Sequence, residues 1–339
     1  MEYNGAVTRT AVAHFVHSQP SDLAWWRGII LFGQNSASYK FALGKSLLSL
    51  AQEGRTRLTL DELAVPFSRH ICDHLKTGKK QGTSKSSKFL EICRQFNAGE
   101  ITVEQLQRGT AQYGFENVID AFHKLKGENS DQAQFYVDER NSGGGIQLTD
   151  SIHQLAHSPQ LKNLESEIES RWNLVEYAWS LGINQKNLRL VETDLEVEQL
   201  FVIDKSRRIN MTSVRGAISG YQRGKCFYCD EDMTGPTAVD HVVAHYLMAR
   251  GHAGGLNLDG VWNLVLTCQD CNSSKSSRRP HERYMVKLLQ RNEYYIGSHH
   301  PLRETLIHHM GKSEVERKRF LQAAYEIFPP GDAWSPPSS

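Results

Sequence analysis

Long apolar runs are missing from this chain. Across 339 residues the densest short candidate is GIILFG at 28–33, far below the roughly 18 consecutive apolar residues that read as a membrane span. The first thirty residues also lack the basic n-region, apolar h-region and small-residue cleavage site of a secretory signal. A cytoplasmic location without membrane contact is the expectation. Net charge is nearly absent as well, +1 at pH 7, so the whole-molecule charge names no partner. No internal repeat is visible. What remains is the composition of a globular protein, with 39% hydrophobic and 23% charged residues. The length suits two or three domains at about 100–200 residues each.

The near-neutral total hides an asymmetry. Residues 205–291 hold 13 Lys/Arg against 7 Asp/Glu, leaving the rest of the chain net acidic. A locally basic segment points to a polyanion partner, although uneven surface charge alone produces the same count.

Cysteine is scarce, six in all. Cys72 and Cys93 stand alone in helix-like sequence and read as small buried hydrophobes. The other four fall in two C-x-x-C pairs, Cys226/Cys229 and Cys268/Cys271. In a cytosolic chain such pairs read as metal ligands rather than disulfides. Two knuckles can present four thiolates tetrahedrally to one Zn²⁺, closing the site to substrate. Four ordinary core cysteines are the alternative, which leaves the matched spacing unexplained.

Along the chain, residues 22–54 read as helical with Gly54 as terminator, and Pro66 reads as the opening of a helix closed near Gly78. Residues 76–88 read as a basic loop. Thr102 and Gln105 have capping-box spacing and introduce a helix through Gln112. Helical periodicity fails over 126–150, where the triple glycine 143–145 suggests a loop or hairpin. Beyond Ser158-Pro159, Leu161, Leu164, Ile168, Trp172, Val175 and Trp179 recur at three- and four-residue steps, with Gly182 at the end. A short helix ends near Gly224, Ser313 and Glu316 cap another, and 329–339 reads as a disordered tail. The expected organisation is a helical domain over 1–125, a connecting region over 126–204, a compact domain over 205–300, a C-terminal helix over 301–328 and the tail. The fold class is α+β.

Between the cysteine pairs lie Asp240-His241 in the strand-like VDHVV and Asn263 in VWNLVLTC, and Asn272 comes directly after the second pair in CQDCNSSKSS. With these residues the segment 226–277 resembles the HNH endonuclease family, whose catalytic core is a ββα-metal unit. The pattern C-x-x-C, D-H, N-L, C-x-x-C-N-x-x-K carries the resemblance, and it does not extend to the first 200 residues. The resemblance implies that His241 is the general base, a task suited to a side chain with a pKa near 6.5. It implies that Asp240 and Asn272 hold a divalent cation through hard oxygen donors, Mg²⁺ or Mn²⁺. Asn263 would hold the loop and orient the base, and Lys275 would lie near the phosphate. Arg278, Arg279, Arg283 and Lys287 come next as candidate phosphate contacts or as an ordinary basic helix surface. The sequence departs from the family in having Ala244 where proline is frequent, and His245 and His252 are additional imidazoles.

Taken together, the resemblance implies a DNA endonuclease with a structural zinc and a catalytic Mg²⁺ or Mn²⁺. By analogy with other proteins of mixed HNH architecture, the setting would be restriction or anti-phage defence, beside an ATPase, helicase or methylase. The competing expectation is a zinc-dependent nucleic-acid-binding protein with an inactive centre.

Overall fold

The computed structural model describes residues 11–33, 35–84, 86–125, 133–180, 191–204, 207–249, 251, 254–298 and 300–336. The expected helix terminator Gly182 and the imidazole of His252 lie outside them. Helices and small sheets are mixed, consistent with an α+β chain. The chain divides into two compact units, one spanning Val12–Asn184 and the other containing Gln185–Ser339. The division falls within the connecting region expected over 126–204.

In the first unit, α1 (Asp22–Phe32) and α2 (Tyr39–Gln52) replace the single long helical stretch expected there. Ser21 caps α1 by accepting the Ala24 amide at 3.1 Å. Gly54, at φ 75°, supplies the left-handed turn after α2. Strand β1 (Arg57–Thr59) leads into α3 (Leu60–Leu75). Pro66 sits inside α3 and does not open it. The reason is an earlier capping box, where Thr59 and Glu62 satisfy each other's backbone amides. The expected box of Thr102 and Gln105 is present and starts α5 (Val103–Tyr113), which packs with α4 (Lys88–Asn97) and α3.

The triple glycine belongs to a hairpin. β2 (Tyr136–Glu139) and β3 (Gly145–Leu148) pair antiparallel, and β3 also pairs with β1. A Cβ on Gly145 would lie 1.9 Å from the Leu58 carbonyl, so only glycine allows that strand approach. After α6 (Asp150–Ala156), the long helix α7 (Leu161–Ser180) packs on α1 and α2. It buries Trp172 completely, together with the charged Glu167, Arg171 and Glu176. Glu167 receives two hydrogen bonds from the buried Arg27 guanidinium, at 2.8 and 3.0 Å. His74 stacks on Trp172 with ring centroids 3.5 Å apart and bonds to Glu176 through Nδ1 at 2.7 Å.

Two other imidazoles give this unit an acid sensitivity. Burial lowers His70 and His123 to about 4, and both are neutral in the fold. His123 Nε2 accepts the Phe135 amide at 3.0 Å, a bond that protonation destroys. Between about 6.5 and about 4 the unfolded chain binds protons that the folded chain refuses, so stability falls as pH falls. His74 acts in the opposite sense. Burial works against its charge, but Glu169 and Glu176 outweigh it and raise its pKa. Its contribution is complete below its unfolded pKa near 6.5 and is lost as pH rises through the folded value. Thermal melts are expected to drop from pH 6.5 to 4, and His70→Gln is expected to blunt that drop; an equal drop in the variant would refute the assignment.

The second unit begins with an antiparallel meander, β4 (Glu192–Asp194), β5 (Gln199–Asp204) and β6 (Arg207–Ser213). β6 runs into α8 (Val214–Ser219), capped by Ser213. Left-handed Arg223 and Gly224 then turn the chain into the first cysteine pair. β7 (Thr237–His241) and β8 (Leu264–Cys268) pair antiparallel, placing Asp240 opposite Val265 and His241 opposite Leu264. Helix α9 (Tyr246–Ala249) lies in the connection, and α10 (Gln269–Lys275) comes directly after β8 and packs on both strands.

Behind them stand α11 (Arg283–Gly297), α12 (Arg303–Met310) and α13 (Glu314–Glu326). The C-terminal helix expected over 301–328 is thus two helices, the second with the expected Ser313/Glu316 box. The tail expected to be disordered docks as far as residue 336. Trp334 is buried against Tyr228 and Tyr284, donates its indole N–H to Ser274 Oγ at 3.1 Å, and forms backbone bonds with Arg279 and His281.

Candidate functional site

Four cysteines converge at one end of the β7–β8 pair. Cys226 and Cys229 lie on the turn before β7, Cys268 closes β8, and Cys271 sits in the first turn of α10. Their four Sγ atoms lie within 4.8 Å of one another, and Cys229 and Cys268 are 3.9 Å apart. The edge of a ZnS₄ tetrahedron with bonds of about 2.3 Å is about 3.8 Å. These thiols are placed to bind a metal, and the spacing is compatible with a structural zinc. Burial works against a thiolate at Cys226, but amides of Cys229, Cys268 and Tyr228 outweigh it and lower its pKa. Burial and the nearby Cys226 raise Cys229 to about 11. One thiolate therefore forms readily while its neighbours resist, a conflict that a dication removes.

Asp240 is the one buried residue of β7. Its carboxylate accepts the Tyr228 hydroxyl at 2.6 Å and the Lys275 ammonium at 3.2 Å on Oδ1 and 3.0 Å on Oδ2. Lys275 Nζ also donates to the His241 carbonyl at 2.7 Å. Burial and the adjacent Asp240 raise the Tyr228 hydroxyl well above its ordinary pKa, so it remains a donor. Tyr228, between the first two cysteines, thereby links the cysteine cluster to Asp240.

Lys275, expected beside a substrate phosphate, has no solvent exposure and is an internal counter-ion. Its long stem carries the charge inward because Asp240, 35 residues away, waits there. Lys275→Met is expected to lower the stability of this unit by about 3 kcal/mol, since it leaves a buried carboxylate without its cation. A shift in denaturant midpoint measures this; a phosphate-binding lysine would leave the midpoint unchanged. The rest of the basic run is similarly engaged. Arg279 lies over the Tyr325 ring at 4.3 Å, Arg283 bonds the Tyr284 hydroxyl, and Lys287 pairs with Asp230. Arg278 is exposed and folds back on the Ser274 carbonyl.

His241 points away from Asp240, as strand alternation requires. Its Nε2 lies 2.9 Å from Asp259 Oδ1, and His245 Nε2 lies 3.5 Å from Asp259 Oδ2. Burial lowers the pKa of His241, with Asp259 acting against that shift. The ring is therefore neutral at physiological pH and has a lone pair to offer.

Asn263 is fully buried and acts on backbone. It accepts the Val243 amide at 2.8 Å and donates to the carbonyls of Val243 at 2.8 Å and Leu258 at 2.9 Å. The same loop is held from behind by Arg291, whose buried guanidinium donates to the carbonyls of Leu264, Val261 and Trp262. Asn272, on α10, is half-buried and makes no side-chain hydrogen bond among the described residues.

Tyr228, Asp259 and Arg291 carry no signal in the sequence pattern. Tyr228 sits inside C-F-Y-C, where its aromatic character reads as packing, and Asp259 sits in a glycine-rich loop whose path no local pattern reveals. Compared with known proteins, the chain matches no family model, no curated protein and no solved structure.

Proposed function

We propose that the second unit is a metal-dependent endonuclease of HNH type that hydrolyses DNA phosphodiesters. The observation that carries this reading is a neutral imidazole, His241, anchored by Asp259 on a strand whose preceding residue is a carboxylate. Such an imidazole takes a proton from water as the water oxygen bonds to phosphorus and the bond from phosphorus to the leaving oxygen breaks. A positioned base of this kind contributes about 10²–10⁴-fold.

The donor chemistry suits a divalent cation. A carboxylate has about four acceptor positions, so Asp240 retains capacity beyond Tyr228 and Lys275, and the Asn272 side-chain carbonyl has no other partner among the described residues. Asp240 and Asn272 would hold Mg²⁺ or Mn²⁺, which supplies positive charge to the developing phosphorane. The four cysteines would hold zinc as a closed clasp, fixing β8 and α10 to the turn before β7.

A second reading has one observation in its favour. Asp240 is already the counter-ion of a buried lysine, as it would be in a nucleic-acid-binding module that has no catalytic cation. Supercoiled plasmid incubated with Mg²⁺ or Mn²⁺ separates the two. The nuclease reading expects conversion to open-circular or linear DNA, whereas the binding reading expects retarded, uncut plasmid.

A further inference from the structure

The loop carrying Asp259 is unusually constrained. Asn257 Oδ1 accepts the Asp259 amide at 3.1 Å, and the Asn257 carbonyl accepts the Gly260 amide and the Trp262 indole N–H at 3.2 and 3.0 Å. Asn263 then grips Leu258 and Val243, while Arg291 grips the three carbonyls beyond. Trp262 is fully buried. Asp259 is thus delivered on a fixed backbone, with its carboxylate spanning His241 and His245.

That arrangement decides which atom of His241 is available. A carboxylate is an acceptor, so the ring nitrogen facing it carries hydrogen. Here that nitrogen is Nε2, and Nδ1 has no hydrogen-bond partner among the described residues. The outer partner of a catalytic imidazole sets its tautomer and ring orientation. We propose that Asp259 is the positioning residue of the site: it holds His241 as the Nε2–H tautomer and leaves Nδ1 as the atom that accepts the proton. The exposed His245 lies 3.5 Å from the other carboxylate oxygen, too long to hold it, so the anchoring of Asp259 comes from its backbone. This inference rests on the nuclease reading for its catalytic consequence, but not for its structural content.

Nitrogen NMR of the histidine side chains in the full zinc-loaded chain tests the structural content at pH 8, with His241→Gln assigning the signal. The wild type is expected to show His241 as Nε2–H. Asp259→Ala is expected to lose that single tautomer, whereas Asp259→Asn, whose carbonyl oxygen still accepts the proton, retains it. In plasmid cleavage, Asp259→Ala is expected to lower kcat about 10- to 100-fold with KM changed less than about twofold. Asp259→Asn is expected to recover part of the loss, and both variants to melt as the wild type does. An Nδ1–H tautomer in the wild type overturns the proposal, as does an unchanged tautomer and rate in Asp259→Ala. A wild type that cuts no DNA, yet shows an Asp259-dependent Nε2–H signal, sinks the nuclease reading and leaves the positioning role standing.

Discussion

Cys229→Ser is expected to unfold the second unit while the first keeps its own transition. The clasp ties together the elements around the candidate site. Cys268 ends β8 and caps α10, and the Phe227 amide bonds the Leu266 carbonyl at 3.0 Å. Without a dication, burial and mutual repulsion oppose ionisation of Cys229 and Cys271. Zinc binding to sites of this kind contributes about 10–16 kcal/mol in small domains, comparable to the roughly 5–15 kcal/mol by which a whole domain is stable. Chelation should reproduce the variant. Metal analysis should find about one zinc per chain, and β7 should lose amide protection when the zinc is stripped. A metal-free chain with full protection of β7 would refute the clasp.

His241→Ala is expected to reduce DNA cleavage by about 10²–10⁴-fold with little loss of stability. The neutral ring has only Asp259 as its side-chain bonding partner among the described residues, and Asp259, one-third exposed, is rehydrated when the ring is removed. Asp240→Ala behaves differently. Removing that carboxylate strands the Lys275 ammonium, which has no solvent access, and breaking a buried pair costs about 3–5 kcal/mol. Asp240→Ala is therefore expected to be unstable as well as inactive. Under the proposed nuclease function, His241 is thus the position at which chemistry would separate from folding.

Features that depend on near neighbours are legible in the sequence. The boxes Thr102/Gln105 and Ser313/Glu316 link residues three apart, and the cysteine pairs advertise themselves through repeated spacing. Strand alternation assigns Asp240 and His241 to opposite faces without tertiary information. Features that depend on distant partners are not legible. Lys275 looks like part of a basic helix surface until Asp240 is seen to draw it inward. Asp259 gains meaning only because Asn263, Trp262 and Arg291 fold its loop toward His241. Trp334 lies in a segment rich in proline and serine, yet its indole finds Tyr228, Tyr284 and Ser274. The start of α3 escapes a sequence reading because proline is a conspicuous opener and Thr59/Glu62 a quieter one.

The most direct measurement is single-turnover cleavage of supercoiled plasmid by zinc-loaded protein, with Mg²⁺ or Mn²⁺ added, comparing wild type and His241→Ala. The account predicts metal-dependent cutting by the wild type and at least roughly hundredfold slower cutting by the variant. Uncut plasmid with the wild type in both metals, or equal rates for the two proteins, would contradict it.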